Sequence, residues 1–262
     1  MDLKALCKQV EEISKEVGSY IIEERKSFSQ ENVEEKSFNN LVSYVDKTAE
    51  EKFMAKLSGL IPDAGFIAEE SESLKPADEW NWIIDPLDGT TNFIFNIPMY
   101  CTSVALIRNN ELQIGVIYDP NHNEIFSAWK GGGAYLNGEA IKVSDKNELI
   151  SSLIATGFPY DDFDRADEFL KLLGNLITKS KGIRRLGSAA LDLAYVACGR
   201  FDAFYEYGLN PWDVAAGSLI VLEAGGKVSD FSGKGNYIFG SDILATNSKV
   251  HQEIQQEIQH FF

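Results

Sequence analysis

Five short apolar segments between residues 65 and 129 constrain the fold most strongly, because each of them predicts a β-strand. They cover residues 65–68, 81–85, 101–108, 112–118 and 124–129. Asn109-Asn110 lies between two of these segments and is typical of a hairpin turn. The glycine-rich stretch KGGGAYLNG at 130–138 predicts a further turn followed by a short strand. The first half of the chain is therefore expected to be rich in strands.

Two segments with helical periodicity precede these strands. Apolar residues recur at spacings of three and four within residues 2–28, which predicts an amphipathic helix. A second helix is predicted over residues 44–60 and ends before Pro62. The polar segment 29–43 between the two helices is expected to form a loop or a mobile hairpin.

The second half of the chain alternates strands with helices. Strands are predicted at 152–156, 182–186 and 203–207. Helices are predicted over 164–179, from Ser188, from Pro211 to the Gly225-Gly226 pair, and over 248–262. The pattern changes near 140–150 without a linker. We therefore expect a single domain, residues 1–262, with a mixed α/β fold built in two halves.

Charge and cysteine content exclude several classes of protein. The formal net charge of −16 argues against nucleic-acid or anionic-membrane binding, because no basic stripe offsets the acids. Three widely spaced cysteines indicate a reducing compartment without a disulfide framework. The amino terminus lacks signal-peptide features, and no apolar run approaches the roughly 20 residues that span a bilayer. The expected location is the cytoplasm.

The segment WIIDPLDGTTNF, residues 82–93, places two aspartates three residues apart directly after an apolar run. Asp85 precedes a proline and is therefore expected at the end of a strand. Pro86 begins a turn that brings Asp88 toward Asp85. Two close carboxylates repel each other unless a proton or cation intervenes, and Mg²⁺ suits oxygen ligands best. A turn with helix-capping aspartates is the alternative.

Two further acidic stretches favour the metal hypothesis when the three are taken together. AEES at 68–71 follows an apolar strand, and PWDVAAG at 211–217 opens a helix. Asp213 lies in the first turn of that helix, where an acid is favourable even without a ligand. The small residues Ala215, Ala216 and Gly217 indicate close helix packing.

These stretches resemble the inositol monophosphatase family, within the superfamily of Mg²⁺-dependent, lithium-sensitive phosphatases. The matching segments are EES at 69–71, DPLDGTTN at 85–92, GGGAYLNG at 131–138, RRLGSAALDL at 184–193, WDVAAG at 212–217 and LEAGG at 222–226. They cover nearly the whole chain in order. The resemblance implies a layered αβαβα sandwich of the inositol monophosphatase and fructose-1,6-bisphosphatase type, and a homodimer is expected.

The resemblance also implies a site for two to three Mg²⁺ ions. The first ion would bind Glu70, Asp85 and the main-chain carbonyl of Leu87. Asp85 would bridge to a second ion, which Asp88 and Asp213 would also bind. A weaker third ion would lie near Glu70. Two-metal sites of this kind stabilise both the attacking and the leaving oxygen of an in-line displacement.

The implied catalytic residues are Thr90, Asp46 and Glu70, with Thr90 orienting the attacking water and Asp46 behind it. The substrate is expected to be a small phosphate ester held at its phosphate and at its alcohol. The implied contacts are Lys36, Leu87, Asp88, Gly89, Thr90, Gly187, Ser188, Ala189, Glu206 and Asp213. Lys36 would help to close the site from the polar segment 29–43.

Inositol monophosphate is the favoured substrate, because GTTNF after the second aspartate is typical of the inositol phosphatase branch. The alternatives are phosphatases of NADP, fructose 1,6-bisphosphate or 3′-phosphoadenosine nucleotides, and a regulatory binding protein on the same fold. The complete set of implied ligands together with Thr90 favours an enzyme over a binding protein.

Several titratable residues have no place in this scheme. His122, His251 and His260 are far in sequence from the acidic motifs and are expected at the surface. Asp119, Asp192 and Asp202 are additional acids to which the sequence assigns no role.

Overall fold

Two helices and a hairpin form the first part of the fold. The computed structural model describes residues 1–29, 33–37, 40–71, 76–159 and 163–262. Helix α1 spans Leu3–Ser27 and helix α2 spans Tyr44–Leu57, close to the predicted bounds. Strands β1, Val33–Ser37, and β2, Asn40–Ser43, pair antiparallel between these helices. The hairpin alternative for this segment is therefore the one observed. Lys36 lies in β1, and its side chain is outside the described part of the chain.

A seven-stranded sheet follows the hairpin. Its strands are β3 Gly65–Ala68, β4 Trp80–Asp88, β5 Cys101–Arg108, β6 Glu111–Asp119, β7 Glu124–Trp129, β8 Ala134–Leu136 and β9 Glu139–Ile141. They are arranged in chain order across the sheet. β3 is parallel to β4, and the later neighbours are antiparallel. Asn109 and Asn110 both have positive φ at the β5–β6 turn, as predicted for a hairpin turn.

The second half of the chain builds a five-stranded sheet and most of the remaining helices. The strands are β10 Leu153–Thr156, β11 Gly182–Arg184, β12 Ala203–Tyr207, β13 Lys227–Ser229 and β14 Asp242–Thr246, in the order β11-β10-β12-β14-β13. The helices are the short α3 Thr90–Ile94, then α4 Ala166–Lys179, α5 Ala189–Ala197, α6 Pro211–Glu223 and α7 His251–Phe261. Within the described ranges, no helix combines the length and apolar character needed to cross a membrane.

The sheets and the longer helices stack in five layers. Phe53 belongs to the apolar cluster between the α1–α2 layer and the seven-stranded sheet. Leu193 of α5 and Ile220 of α6 belong to the cluster between the two sheets. Leu172 of α4 and Ile254 of α7 pack on the outer face of the five-stranded sheet. This is the αβαβα sandwich predicted above, and it places the ends of β4 and β12 near the start of α6.

His251 is buried, so the expectation of a surface histidine is wrong for this residue. Its ring is 1% exposed, and its Nε2 and Nδ1 lie 3.1 and 3.0 Å from the hydroxyls of Ser229 and Thr246. Removal from water lowers the pKa of His251 to about 4. His251 shares one face of α7 with the buried Ile254 and Ile258, a spacing that could have predicted its burial.

The free energy of unfolding should fall as the pH decreases from about 6.5 toward 4, because His251 takes up a proton there only when unfolded. His251→Gln removes the titrating ring, so urea denaturation should show a shallower dependence on pH in this window. His260→Gln, at an exposed position of the same helix, is the matched control and should keep the wild-type slope. Identical slopes for wild type and His251→Gln would contradict the assignment.

Candidate active site

Asp85 and Asp88 reach one site because β4 is irregular near its end. In a regular strand, residues three apart lie on opposite faces of the sheet. The register between β4 and β5 shifts between Asp85 and Asp88, and β4 continues through Pro86. The predicted strand end at Asp85 and turn at Pro86 are therefore wrong. The predicted turn was expected to bring Asp88 toward Asp85. The irregularity of β4 has the same effect, because both aspartates line the same cavity.

Asp213 completes a group of three carboxylates. Asp85, Asp88 and Asp213 each offer one oxygen, and these oxygens lie within 4.8 Å of one another. Asp213 is in the first turn of α6, where its Oδ2 accepts a hydrogen bond from the amide of Asn210 at 2.6 Å. We call these three residues the carboxylate cluster. All three belong to the one site predicted from the sequence.

Close packing of α6 brings Asp213 to this position. A Cβ at Gly217 would lie 2.5 Å from the Cβ of Leu193 in α5. A Cβ at Gly115 in β6 would lie 2.5 Å from the carbonyl oxygen of Ala216. Glycine at these two positions lets α6 approach both the seven-stranded sheet and α5. The close packing predicted from the small residues of α6 is confirmed.

The carboxylate cluster concentrates negative charge away from water. Burial, then the charges of neighbouring acids, hold the pKa of Asp85 and of Asp213 well above the usual range. Burial also raises the pKa of Asp88 to about 6, although its Oδ2 accepts hydrogen bonds from Ser188 Oγ at 2.6 Å and Ala190 N at 2.7 Å. A bound cation would relieve this repulsion, and buried carboxylate oxygens are the donors that Mg²⁺ prefers.

The acidic pair after β3 contributes Glu69 to the cavity, whereas the predicted ligand was Glu70. Ala68 pairs with Ile84 in the parallel register of β3 and β4, so Glu69 follows Ala68 as Asp85 follows Ile84. Glu70 is not among the residues that line the cavity. The Glu70 amide donates to Oε2 of Glu50 in α2 at 2.8 Å. The position predicted for Glu70 is therefore corrected to Glu69.

Thr90 and Asp46 are joined directly, as the sequence analysis expected. Thr90 Oγ1 lies 2.8 Å from Asp46 Oδ1 and 3.0 Å from the carbonyl oxygen of Leu87. Thr90 and Leu87 line the cavity, while Asp46 lies behind Thr90 and is 1% exposed. The other oxygen of Asp46 accepts hydrogen bonds from the amide and hydroxyl of Ser43 at 2.9 and 2.6 Å. Burial raises the pKa of Asp46, and these bonds oppose the shift.

The cavity has a volume of about 320 Å³ and extends from the carboxylate cluster to a second group of polar residues. The predicted contacts on this wall are Gly187, Ser188, Ala189 and Glu206. Gly89 also lines the cavity, with φ of +97°, which favours glycine. The Ser188 hydroxyl donates to Asp88 and thereby also supports the carboxylate cluster, while the predicted substrate contact of Ser188 is its main-chain amide.

The residues of this wall that were not selected from the sequence include Gly157, Arg185 and Asp192. Arg185 and Asp192 belong to the matched segment RRLGSAALDL, but the spacing of that segment gave no reason to select them. Burial raises the pKa of Glu206 to about 8, whereas the positive charge of Arg185 lowers it. This wall therefore combines buried carboxyl groups with one guanidinium group.

Comparison with known proteins agrees with the geometry. The model of the inositol monophosphatase family matches residues 2–261. This chain belongs to the inositol monophosphatase family. Metal dependence is general in that family, in agreement with the oxygen donors of the carboxylate cluster. Membership supports a phosphatase without identifying the substrate.

Individual relatives carry two kinds of name. A putative Nus factor SuhB of Neisseria meningitidis serogroup B is 43% identical over 238 residues, which are 90% of this chain and 91% of that protein. The crystal structure of extragenic suppressor protein suhB from Bartonella henselae is 37% identical with a TM-score of 0.92, covering 97% of this chain and 98% of that one. Inositol monophosphatase from Anabaena (Nostoc) sp. PCC 7120 is 37% identical with a TM-score of 0.89, covering 99% and 97%.

Proposed function

We propose that this protein is a Mg²⁺-dependent phosphomonoesterase that hydrolyses inositol monophosphate to inositol and phosphate. The observation that carries the proposal is one cavity that holds the carboxylate cluster, Thr90 with Asp46 behind it, and Glu206 at the far end. The carboxylate cluster suits a cation, and Thr90 with Asp46 suits an attacking water. Glu206 suits an alcohol that carries further hydroxyl groups.

The residues proposed to hold two to three Mg²⁺ ions are Glu69, Asp85, Asp88, Asp213 and the main-chain carbonyl of Leu87. The donor set fits the ion, because it consists of oxygen atoms and because the carboxylates repel one another in a buried position. Bound Mg²⁺ supplies a water nucleophile at neutral pH and offsets charge on the phosphoryl group.

Thr90 and Asp46 are proposed to orient the attacking water and to carry its proton. The Thr90 hydroxyl donates to Asp46 Oδ1 at 2.8 Å, which leaves a lone pair on Oγ1 directed away from that bond. A water in the cavity can donate to this lone pair while its oxygen attacks phosphorus, the bond from phosphorus to the inositol oxygen breaks, and that oxygen leaves as the alcohol after taking a proton from solvent water. The proton of the attacking water passes to Thr90 Oγ1 as the threonine proton passes to Asp46 Oδ1. The two bonds from Ser43 hold Asp46 in place for this transfer.

The substrate is proposed to lie with its phosphate against Gly89 and Thr90 and its alcohol toward Glu206. Gly89 brings main chain to the cavity surface, where amide groups can donate to phosphate oxygens. Lys36 is proposed to contribute from β1. Glu206 can accept a hydrogen bond from a hydroxyl of inositol.

Phosphate release from a panel of esters tests this function. The panel contains inositol 1-phosphate, NADP, fructose 1,6-bisphosphate and 3′-phosphoadenosine 5′-phosphate, each with and without Mg²⁺. The proposal requires Mg²⁺-dependent release with the highest kcat/KM for inositol 1-phosphate. A higher kcat/KM for another ester would keep the phosphatase and replace the substrate.

Gly157→Ala should lower kcat/KM for inositol 1-phosphate more than for 4-nitrophenyl phosphate, by about 10-fold or more. A Cβ at Gly157 would overlap the Glu206 carboxylate, so the variant must displace that group. Steady-state kinetics on both esters measures the ratio. Gly174→Ala is the matched control, since a Cβ there meets no atom within 4 Å. An unchanged ratio in Gly157→Ala would show that the position of Glu206 does not set specificity.

A second candidate is the role for which the SuhB relatives are named, that of a Nus factor. The 43% identity to the Neisseria meningitidis protein over 90% of the chain favours it. The presence of every proposed metal ligand together with Thr90 favours catalysis. A role in binding alone would survive Asp85→Asn in cells, whereas a role that depends on phosphate release would not.

A further inference from the structure

Asp192 is a buried acid of the cavity wall that the proposed reaction does not use. It lies in the first turn of α5, is 1% exposed and lines the cavity together with Glu206. Its Oδ1 is buried and has no hydrogen-bond partner among the residues that the structure describes. Leaving a buried carboxylate oxygen unpaired is unfavourable, so the fold gains nothing from this oxygen by itself.

The capping of α5 does not explain Asp192. Ser188 is the N-cap, and its hydroxyl accepts the hydrogen bond from the amide of Leu191. The amide of Ala190 donates to Asp88 at 2.7 Å. The first-turn donors of α5 are thus bonded to other groups. Asp192 also lies outside the carboxylate cluster, which contains Asp85, Asp88 and Asp213 in the described part of the chain.

The charges around Asp192 suit a neutral, hydrogen-bonding ligand. Burial is the main cause of the raised pKa of Asp192, with further contributions from the charges of Glu206 and Asp88. Arg185 opposes this shift, as it does for Glu206. Among the described residues that line the cavity, Arg185 is the one cation that offsets these two carboxyl groups, which leaves little attraction for an anion at this end. Hydroxyl groups, in contrast, can donate to both carboxyl groups.

We propose that Asp192 is a specificity-determining residue that binds, together with Glu206, hydroxyl groups of the leaving alcohol. This inference rests on the proposed phosphatase function and defines its substrate class as phosphate esters of polyols with at least two hydroxyl groups near the ester. An aryl ester cannot donate to Asp192, so the buried oxygen stays unpaired in that complex. Sites built around such a hydrogen bond discriminate strongly against ligands that lack the donor.

The test compares kcat/KM for inositol 1-phosphate and for 4-nitrophenyl phosphate in wild type, Asp192→Ala and Asp192→Asn. The ratio of the two values should fall about 10- to 100-fold in Asp192→Ala, because a substrate hydroxyl loses its buried hydrogen-bond acceptor. Asp192→Asn should recover part of the ratio, because the amide oxygen still accepts a hydrogen bond. Asp119→Asn, at a buried aspartate outside the cavity lining, is the matched control and should keep the wild-type ratio.

Equal losses on both esters, or no loss on either, would overturn the role of Asp192 while leaving the phosphatase intact. Binding of myo-inositol by isothermal titration calorimetry gives a second readout that does not depend on turnover. The Kd for myo-inositol should be about 10-fold higher or more in Asp192→Ala than in wild type. If wild type hydrolyses neither ester, the proposed function fails, and the calorimetric comparison still decides whether Asp192 binds a polyol. A wild-type melting temperature in each variant shows that the change is local.

Discussion

Asp85→Asn is expected to lower kcat/KM for phosphate release by about 10³-fold or more, and to remove the rise in melting temperature that Mg²⁺ gives the wild-type protein. Asp85 lies among the other acids of the site, since the charges of Glu69, Asp88 and Asp213 all raise its pKa. Loss of a shared ligand from a two-metal site removes several kcal/mol of transition-state stabilisation, and each tenfold in rate corresponds to about 1.4 kcal/mol.

Thermal unfolding with and without Mg²⁺ measures the binding effect independently of turnover. Asp192→Asn is the matched control, because Asp192 is equally buried in the same cavity but outside the cluster, and it should keep the Mg²⁺ effect. The Mg²⁺ effect in wild type should shrink as the pH falls through about 6, where Asp88 takes up a proton that competes with the cation. Wild-type turnover of Asp85→Asn at saturating Mg²⁺ would refute the metal site.

The larger elements could be predicted from the sequence because their signals are periodic. Helix α1 repeats apolar residues every three or four positions over its whole length, and the strands at 101–108 and 112–118 flank an Asn-Asn turn. The strands β13 and β14 were not predicted. β13 has only three residues and begins directly after the Gly225-Gly226 pair. A segment this short cannot show the alternation of apolar and polar residues that identifies a strand.

Which face a side chain occupies was harder to predict than which element contains it. Glu69 and Glu70 are chemically identical neighbours, and only the register of β3 against β4 decides which of them meets Asp85. The register of β4 against β5 shifts between Asp85 and Asp88, a stretch containing Pro86 that was predicted as a turn and not as an irregular strand. His251 was misplaced for a related reason, because the periodicity of α7 was assigned without including it.

The residues of the alcohol end are brought together by long-range packing. Gly157 comes from one segment and Arg185 and Asp192 from another, and they meet Glu206 only when β10, β12 and α5 are assembled. The phosphate end, in contrast, depends largely on the contiguous segment DPLDGTT. The sequence therefore predicted the residues around Asp85 and Thr90 better than those around Glu206.

Thr90→Ala is expected to lower kcat by about 10²- to 10⁴-fold, the usual range for loss of acid–base catalysis, with KM largely unchanged. The Thr90 hydroxyl is the group that connects the cavity to the buried Asp46. Asp46→Asn should cause a loss of similar size, since an amide oxygen accepts the hydrogen bond but cannot take the proton at neutral pH. Thr90→Ser keeps the hydroxyl and should retain most of the activity.

The double variant Thr90→Ala/Asp46→Asn decides whether the two residues act on one proton. If the proton passes from water to Thr90 Oγ1 and then to Asp46 Oδ1, removal of either group interrupts the same transfer. The loss in the double variant should then be close to the larger single loss, which is strong non-additivity. Ser43 does not enter this comparison, because both of its bonds go to the other oxygen of Asp46 and remain available in Thr90→Ala. Losses that multiply would mean that Thr90 and Asp46 act in separate steps, and Asp46 would then be a capping residue of α2 and not the proton acceptor.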